Sequence, residues 1–300
     1  MAAWKQGQRL IFHIDVNSAF LSWTAIRLLA EGESVDIRTI PSAIGGDMSK
    51  RRGVILAKSI PAKAFGVTTG EPITDALKKC PTLRTFQPDH KYYHECSHRM
   101  LTLLEGYSPD IRPYSIDECF MTYVPFKHGG EPPQNAAEHL RKRIQSELAF
   151  TVNIGISTNK LLAKMASDFK KPNLVHTLFP EEVSQKMWPL PVSDLFMVGR
   201  RSASKLESLG LRTIGDLAHA DPSLIRFHLK KHGEVLQAFA NGIDLSPVTA
   251  VPPPNKGYGN STTTPFDITR PYDASLILLG LAETVSARLR AAQVKADVLY

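Results

Sequence analysis

The feature that most restricts this chain is a short apolar run that stops on an acid. Leu10-Ile11-Phe12-His13-Ile14 reads as a buried strand, and Asp15 follows it directly. Asn17 or Ser18 then stands where an N-cap belongs, before the helical stretch Ala19–Leu29. Asp15 is therefore placed at a hand-over from strand to helix. Two further acids have a comparable position. Ile111–Ser115 and Cys119–Val124 read as strands, and Asp117-Glu118 lies in the tight turn between them. Successive side chains of extended backbone point to opposite faces, so both acids reach one side only if the chain bends or bulges there.

If these strands are neighbours, three carboxylates converge at one sheet end. Such a cluster repels itself unless a cation lies within it. Oxygen-only donors suit Mg²⁺, and two such ions about 4 Å apart stabilise attacking and leaving oxygens in phosphoryl or nucleotidyl transfer. The same spacing also fits three ordinary loop acids that cap helices or face solvent.

The rest of the chain alternates. Residues 31–75 change character, with Gly45-Gly46, the basic cluster Lys50-Arg51-Arg52, a strand-like Gly53–Ala57 and the turn Phe65-Gly66, and read as a small insertion. Helical patterns cover 74–79, 89–105 and 136–148. Phe150–Ile156 is a strand, and Asn159–Phe169 is a helix ended by Lys170-Lys171-Pro172-Asn173. This order, with antiparallel pairing near Asp117, predicts a two-layer α+β sheet with helices on one face. Residues 181–245 are helical almost throughout. Val251–Asn255 reads as a stiff linker, followed by a strand (Ser261–Ile268), a helix (Asp273–Ala292) and a strand-like Ala296–Tyr300. So few elements cannot make a stable domain, and a C-terminal domain cut short is expected.

Two basic segments add to this pattern. Lys160, Lys164 and Lys171, at spacings of four and seven, fall on nearly one helical face, which is either a solvated surface or a cradle for a triphosphate. Phe196–Leu206, with Gly199, Arg200, Arg201 and Lys205, followed by Leu209–Leu217, resembles a helix-hairpin-helix that aims backbone N–H groups at DNA phosphates. The formal charge of +7 favours a polyanionic partner without identifying one. A hydrophobic fraction of 43% excludes a disordered chain, and no apolar run is long enough for a membrane span. The three cysteines lack CxxC spacing, so neither a disulfide framework nor a cysteine-rich zinc site is expected. No secretory signal is evident at the start, and a reducing cytoplasm fits.

One motif points elsewhere. His94-Glu95-Cys96-Ser97-His98 is a formal HExxH on a helical pattern, the arrangement of zinc proteases, and Glu118 stands at a tolerable distance for a third ligand. The alternative is an amphipathic helix with Tyr93, Met100, Leu101 and Leu104 in the core and both histidines in solvent.

Taken together, Phe12–Phe20, Ser115–Phe120 and Gly155–Asn173 resemble the Y-family, or translesion, DNA polymerases of bacteria, in the family's order along residues 10 to 300. The resemblance implies a right-hand architecture: an α+β palm at 1–30 and 75–185, fingers at 31–74, an all-helical thumb with the helix-hairpin-helix at 186–248, a linker at 249–260 and the truncated start of an α+β little finger at 261–300. It implies that Asp15, Asp117, Glu118 and the Val16 carbonyl hold two Mg²⁺, for which Mn²⁺ can substitute. It implies that Ser18, Ala19 and Phe20 meet the triphosphate, with Phe20 as the steric gate against a 2′-OH. Lys63 and Lys171 would hold phosphates, and Val198, Gly199, Arg200, Arg201 and Lys205 would hold DNA. The implied substrates are primer-template DNA and deoxynucleoside triphosphates, the implied enzyme is a monomer, and a sliding clamp would bind through a segment beyond Tyr300. A DNA-binding module without catalysis is the alternative.

The chain departs from the family pattern at two places. Ser59-Ile60-Pro61-Ala62-Lys63 stands where the family has Ser-Tyr-Glu-Ala-Arg, so Ile60 and Lys63 replace two phosphate-holding residues. Lys63 keeps the charge but loses the planar fork. Met197 takes the place of the hairpin's first glycine.

Overall fold

A computed structural model describes residues 9–47, 53–124, 129–248 and 254–299. The basic cluster Lys50-Arg51-Arg52, residues 1–6, part of the linker at 249–253 and Tyr300 lie outside the described residues. The chain divides into two compact units, Met1–Ile26 with His90–Val251, and Arg27–Asp89 with Pro252–Tyr300.

The first unit is built on a five-stranded sheet of β1 (Leu10–Val16), β5 (Ile111–Pro113), β6 (Glu118–Tyr123), β7 (Val152–Ser157) and β8 (Val175–Thr177), in the order β5-β6-β1-β7-β8. β1 runs antiparallel to both β6 and β7, and β7 runs parallel to β8. Period-2 alternation divides the residues between two faces. Leu10, Phe12, Ile14, Cys119, Met121, Tyr123, Ile154 and Ile156 enter the main core. That core is closed by Trp23 of α1 (Ala19–Ala30), by Tyr93, Met100 and Leu104 of α4 (His90–Glu105), and by Leu140 and Ile144 of α5 (Pro133–Leu148). The opposite face carries His13, Asp15, Glu118, Phe120, Asn153 and Gly155.

The one-faced arrangement expected from the sequence is incomplete. α6 (Lys160–Asp168) lies on the second face, where Ala163 packs with Ile11 and Phe120. Its far side enters another core with Val183 and residues of the helices that follow, so Leu161 to Ser167 are all buried. These helices are α7 (Val183–Lys186), α8 (Arg200–Ser208), α9 (Ile214–His219) and α10 (Pro222–Ala240), the last broken at Lys230, where φ is +56°. The expected helical region is thus a set of short helices around Leu206, Ile214, Leu217, Ile225 and Leu236.

The close seating of α6 depends on Gly155. A Cβ there would come within 1.9 Å of the Ala163 carbonyl oxygen and 2.5 Å of the Ser167 nitrogen. Asn159 caps the helix by accepting from the Leu162 N–H, and its own amide donates to the Gly242 carbonyl.

The second unit holds a three-stranded sheet, β3-β2-β4, of β2 (Ser42–Gly45), β3 (Ile55–Lys58) and β4 (Arg84–Phe86). α2 (Ile60–Ala64), capped by Ser59, and α3 (Ile73–Lys79) complete its core with Ala62, Ile73 and Ala76, joined by Leu83 just before β4. α3 and β4 therefore pack with the insertion, beyond the 74/75 boundary read from the sequence. Residues 261–268 and 296–299 form no strand, contrary to the sequence reading, because no described residue offers them a ladder. Only the helix materialises, as α11 (Pro271–Ala291), none of whose residues is buried.

Candidate active site

Two of the three acids meet through strand register. Asp15 is the last residue but one of β1, Glu118 begins β6, and the two lie directly opposite each other in the ladder. Asp117 sits just before β6, and its carbonyl accepts the Val16 N–H at 3.0 Å, which ties the turn to the strand end. The Tyr114 and Ser115 N–H groups both donate to the Glu118 carbonyl, at 2.9 and 3.1 Å. This sharp turn brings both acids to the same end of the sheet.

Each carboxylate is engaged by a separate partner. Lys171 Nζ lies 2.7 Å from Asp15 Oδ2 and 2.9 Å from Asp168 Oδ1. Lys164 Nζ lies 3.0 Å from both oxygens of Glu118. The Ser115 hydroxyl donates to Asp117 Oδ1 at 2.6 Å. Among the described residues, no three His, Cys, Asp or Glu side chains stand grouped as metal ligands. The three acids share one sheet end, with an ammonium group paired to Asp15 and another to Glu118.

Burial raises the Asp15 pKa to about 6, against the pull of Lys171. The same ion pair raises Lys171 despite its burial. The two shifts agree once desolvation is counted, because the carboxylate is the more deeply buried partner. Glu118 also loses solvent, but His13 and Lys164 outweigh that and bring it down to about 2. His13 Nε2 stands 3.7 Å from Glu118, too far for a hydrogen bond, so the two Lys164 contacts carry most of the effect. His13 itself is wholly buried, and desolvation lowers its pKa and favours the neutral ring.

The basic face read along α6 divides into separate roles. Lys164 is buried beneath the sheet face, and Lys171 lies past the end of the helix. Lys160 lies over the Phe120 ring. The α6 N-terminus is closed by Asn159 and by Asp244, whose carboxylate accepts from the Leu161 N–H, so it presents no open anion site.

Ser18 has φ +47°, and its carbonyl accepts the Ser22 N–H; the N–H groups of the turn that follows, at Ala19 and Phe20, have no intrahelical acceptor. The Phe20 ring is partly exposed and stacks on Tyr93 at 4.5 Å, with His90 meeting it edge-on. Tyr93 is locked by a 2.7 Å contact with the Thr24 hydroxyl. Lys63 is exposed on α2 of the second unit, and Ile60 is 68% exposed there.

Before α8, Met197 adopts φ +73°, a left-handed conformation natural to glycine. Gly199 begins the helix without a side-chain cap, and Arg200, Arg201 and Lys205 are exposed. The Val198 N–H is used by the Leu195 carbonyl, so Val198 contributes packing. On α4, His94, Glu95 and His98 all face solvent, and no metal group includes them.

One residue that the sequence reading missed is Asn153. It is wholly buried in β7; its amide donates to the Ser167 and Lys170 carbonyls, and its oxygen accepts from Asn17 Nδ2 and the Leu174 N–H. The available signal was a polar residue inside an apolar strand, which also marks His13.

Residues 14–168 match the impB/mucB/samB family, and residues 180–211 match the helix-hairpin-helix motif of the same family. The chain is 47% identical to DNA polymerase IV of Clostridium acetobutylicum, over 94% of this chain and 71% of that one. It is 35% identical to DNA polymerase IV of Acetivibrio thermocellus, over 96% and 71%. The crystal structure of DinB from Sulfolobus solfataricus shares its fold at a TM-score of 0.70 and 22% identity, covering 80% of this chain and 69% of that one.

Proposed function

We propose, for a chain that belongs to the Y family of DNA polymerases, that it extends a primer on a DNA template by adding nucleotides to the 3′-OH, with low fidelity and tolerance of damaged templates. The observation that carries this reading is the Asp15–Glu118 register, with Asp117 tied to Val16 beside it. Divalent-metal dependence is general to the family. The donor chemistry here fits it, since Asp15, Asp117 and Glu118 bring carboxylate oxygens to one sheet end beside the Val16 backbone. Asp15, Asp117, Glu118 and the Val16 carbonyl would hold two Mg²⁺, which supply positive charge to the attacking and leaving oxygens when bound.

The protein's own groups do the rest by placement. The first turn of α1, at Ser18, Ala19 and Phe20, offers N–H groups to a triphosphate. Phe20, backed by Tyr93, shapes the floor beneath the sugar. Lys171 holds phosphate oxygens, and the family resemblance gives Lys63 a phosphate-holding role as well. Gly199, Arg200, Arg201 and Lys205 grip the DNA backbone, with Val198 packed behind them. The palm comprises the sheet unit, the fingers extend through β4 to residue 89, and the thumb begins near 186. The enzyme works as a monomer in the cytoplasm, and the family resemblance adds a sliding clamp as a partner. No described helix is long and apolar enough to cross a membrane.

Primer extension with Mg²⁺ and all four deoxynucleotides tests this. Extension should occur and should collapse in Asp117→Ala and Glu118→Ala. Undiminished synthesis by those variants would refute the assignment. Tight primer-template binding with no incorporation under any divalent metal would favour a non-catalytic binding module.

A further inference from the structure

Lys164 has surroundings that neither a solvated lysine nor a phosphate ligand has. It is 8% exposed, and its ammonium engages both oxygens of Glu118. Two aromatic rings flank it, Tyr114 and Phe196, each with its centre 5.6 Å from Nζ. The rings meet edge-on, 6.1 Å apart. Tyr114 belongs to the turn that presents the two acids. Phe196 belongs to the loop that leads through Met197 into Gly199 and Arg200, and its N–H is held by Met165 Sδ of α6 at 3.4 Å.

We propose that Lys164 is a positioning residue that ties the orientation of Glu118 to the loop entering the thumb hairpin. The inference rests on Glu118 acting as a metal ligand. A cation between two ring faces has an energy that depends on where the rings stand. Displacing Phe196 therefore changes how firmly Lys164 holds the carboxylate. Each part of the chain is in direct contact with the next: hairpin loop to Phe196, Phe196 to Lys164, Lys164 to Glu118. Outer partners of metal-ligating carboxylates commonly control how well the ligand works. Asp168 Oδ2, at 4.0 Å, is the other acid within reach of Lys164, too distant to compete with Glu118.

The test uses Mn²⁺ as the probe and the whole chain, without DNA or nucleotide, with free Mn²⁺ read by electron paramagnetic resonance. Lys164→Met should weaken Mn²⁺ binding about 10-fold and lower kcat on primer-template by about 10- to 100-fold. The nucleotide KM should move less than about threefold, because the lysine does not touch substrate. Lys164→Arg should recover most of both losses, since its fork also matches a carboxylate. Phe196→Ala should weaken Mn²⁺ binding by about 2- to 5-fold and add nothing in a Lys164→Met background.

Tighter Mn²⁺ binding in Lys164→Met would show a mere competing cation and overturn the proposal. A raised KM with unchanged Mn²⁺ affinity would show a phosphate ligand and do the same. Fully additive losses for the pair would remove Phe196 from the chain of contacts. If Lys164→Met fails to fold by thermal melting, Phe196→Ala decides alone, and no change in its Mn²⁺ affinity refutes the idea. Variants that behave like wild type, in a protein that extends primers, would end this inference and leave the polymerase reading intact.

Discussion

Asp15 and Glu118 face each other directly across the β1–β6 ladder, yet their acidities are driven in opposite directions. Burial takes Asp15 up to about 6, and Lys164 with His13 brings Glu118 down to about 2 against the same effect. The pair therefore contributes to stability with opposite signs. A folded-state pKa above the ordinary 3.8 means that the folded chain releases the Asp15 proton later than the unfolded chain, so stability falls as pH rises from about 4 to about 6. A folded-state pKa below the ordinary 4.5 means that the Glu118 contribution is complete above that value and is lost as pH falls toward about 2.

Asp15→Asn should accordingly be more stable than the parent at pH 7.5, by about 2 kcal/mol, while losing activity. The gain should disappear below pH 4, where the parent carboxyl is already neutral. Denaturant unfolding at the two pH values checks this, and equal differences at both would contradict it.

Glu118→Gln should cost about 3 kcal/mol near neutral pH, because it leaves the Lys164 ammonium buried without its counter-charge. The penalty should shrink as pH approaches 2. The measurement is the same unfolding experiment carried along the acid limb.

Phe20→Ala should relax discrimination against ribonucleotides by about 10- to 100-fold, since the role proposed for the ring is to close the space a 2′-OH would take. Single-nucleotide incorporation with matched deoxy and ribo substrates measures it. An unchanged preference would take Phe20 out of that role.

Met197→Gly should raise stability by about 1 kcal/mol, since φ at this position is +73° and a side chain is strained there. A thermal melt reads the gain directly, and a fall in melting temperature would show that the Met197 side chain contributes more than its backbone costs.

Gly155→Ala should destabilise by about 3 kcal/mol or prevent folding. Its new methyl would meet the Ala163 carbonyl at 1.9 Å, and the obstacle is helix backbone, which cannot turn aside as a side chain could.

Much of this architecture could be read from residue patterns. The first strand, the bend at Asp117 and the helix after Asn159 follow from local chemistry, and each stands within a residue or two of where that chemistry puts it. The position of α6 did not follow, because the packing that buries it on both sides is set by distant residues such as Val183 and Leu236. The role of Lys164 was hidden for the same reason. Helical periodicity places it on a basic stripe, but only the tertiary fold shows that Lys164 alone of the three lysines meets Glu118. The expected strand at 261–268 met the converse problem, since its composition suits a ladder that no described neighbour completes.

Asn153 has its own consequence. The buried amide holds the Ser167 and Lys170 carbonyls and the Leu174 N–H at once, so the short stretch bearing Lys171 is fastened on both sides. Re-aiming that lysine would leave several hydrogen-bonding groups in the interior without partners. The backbone around Lys171 has little room to shift. By contrast, Ile60 and Lys63 of the small sheet unit lie exposed, where a change of side chain meets solvent.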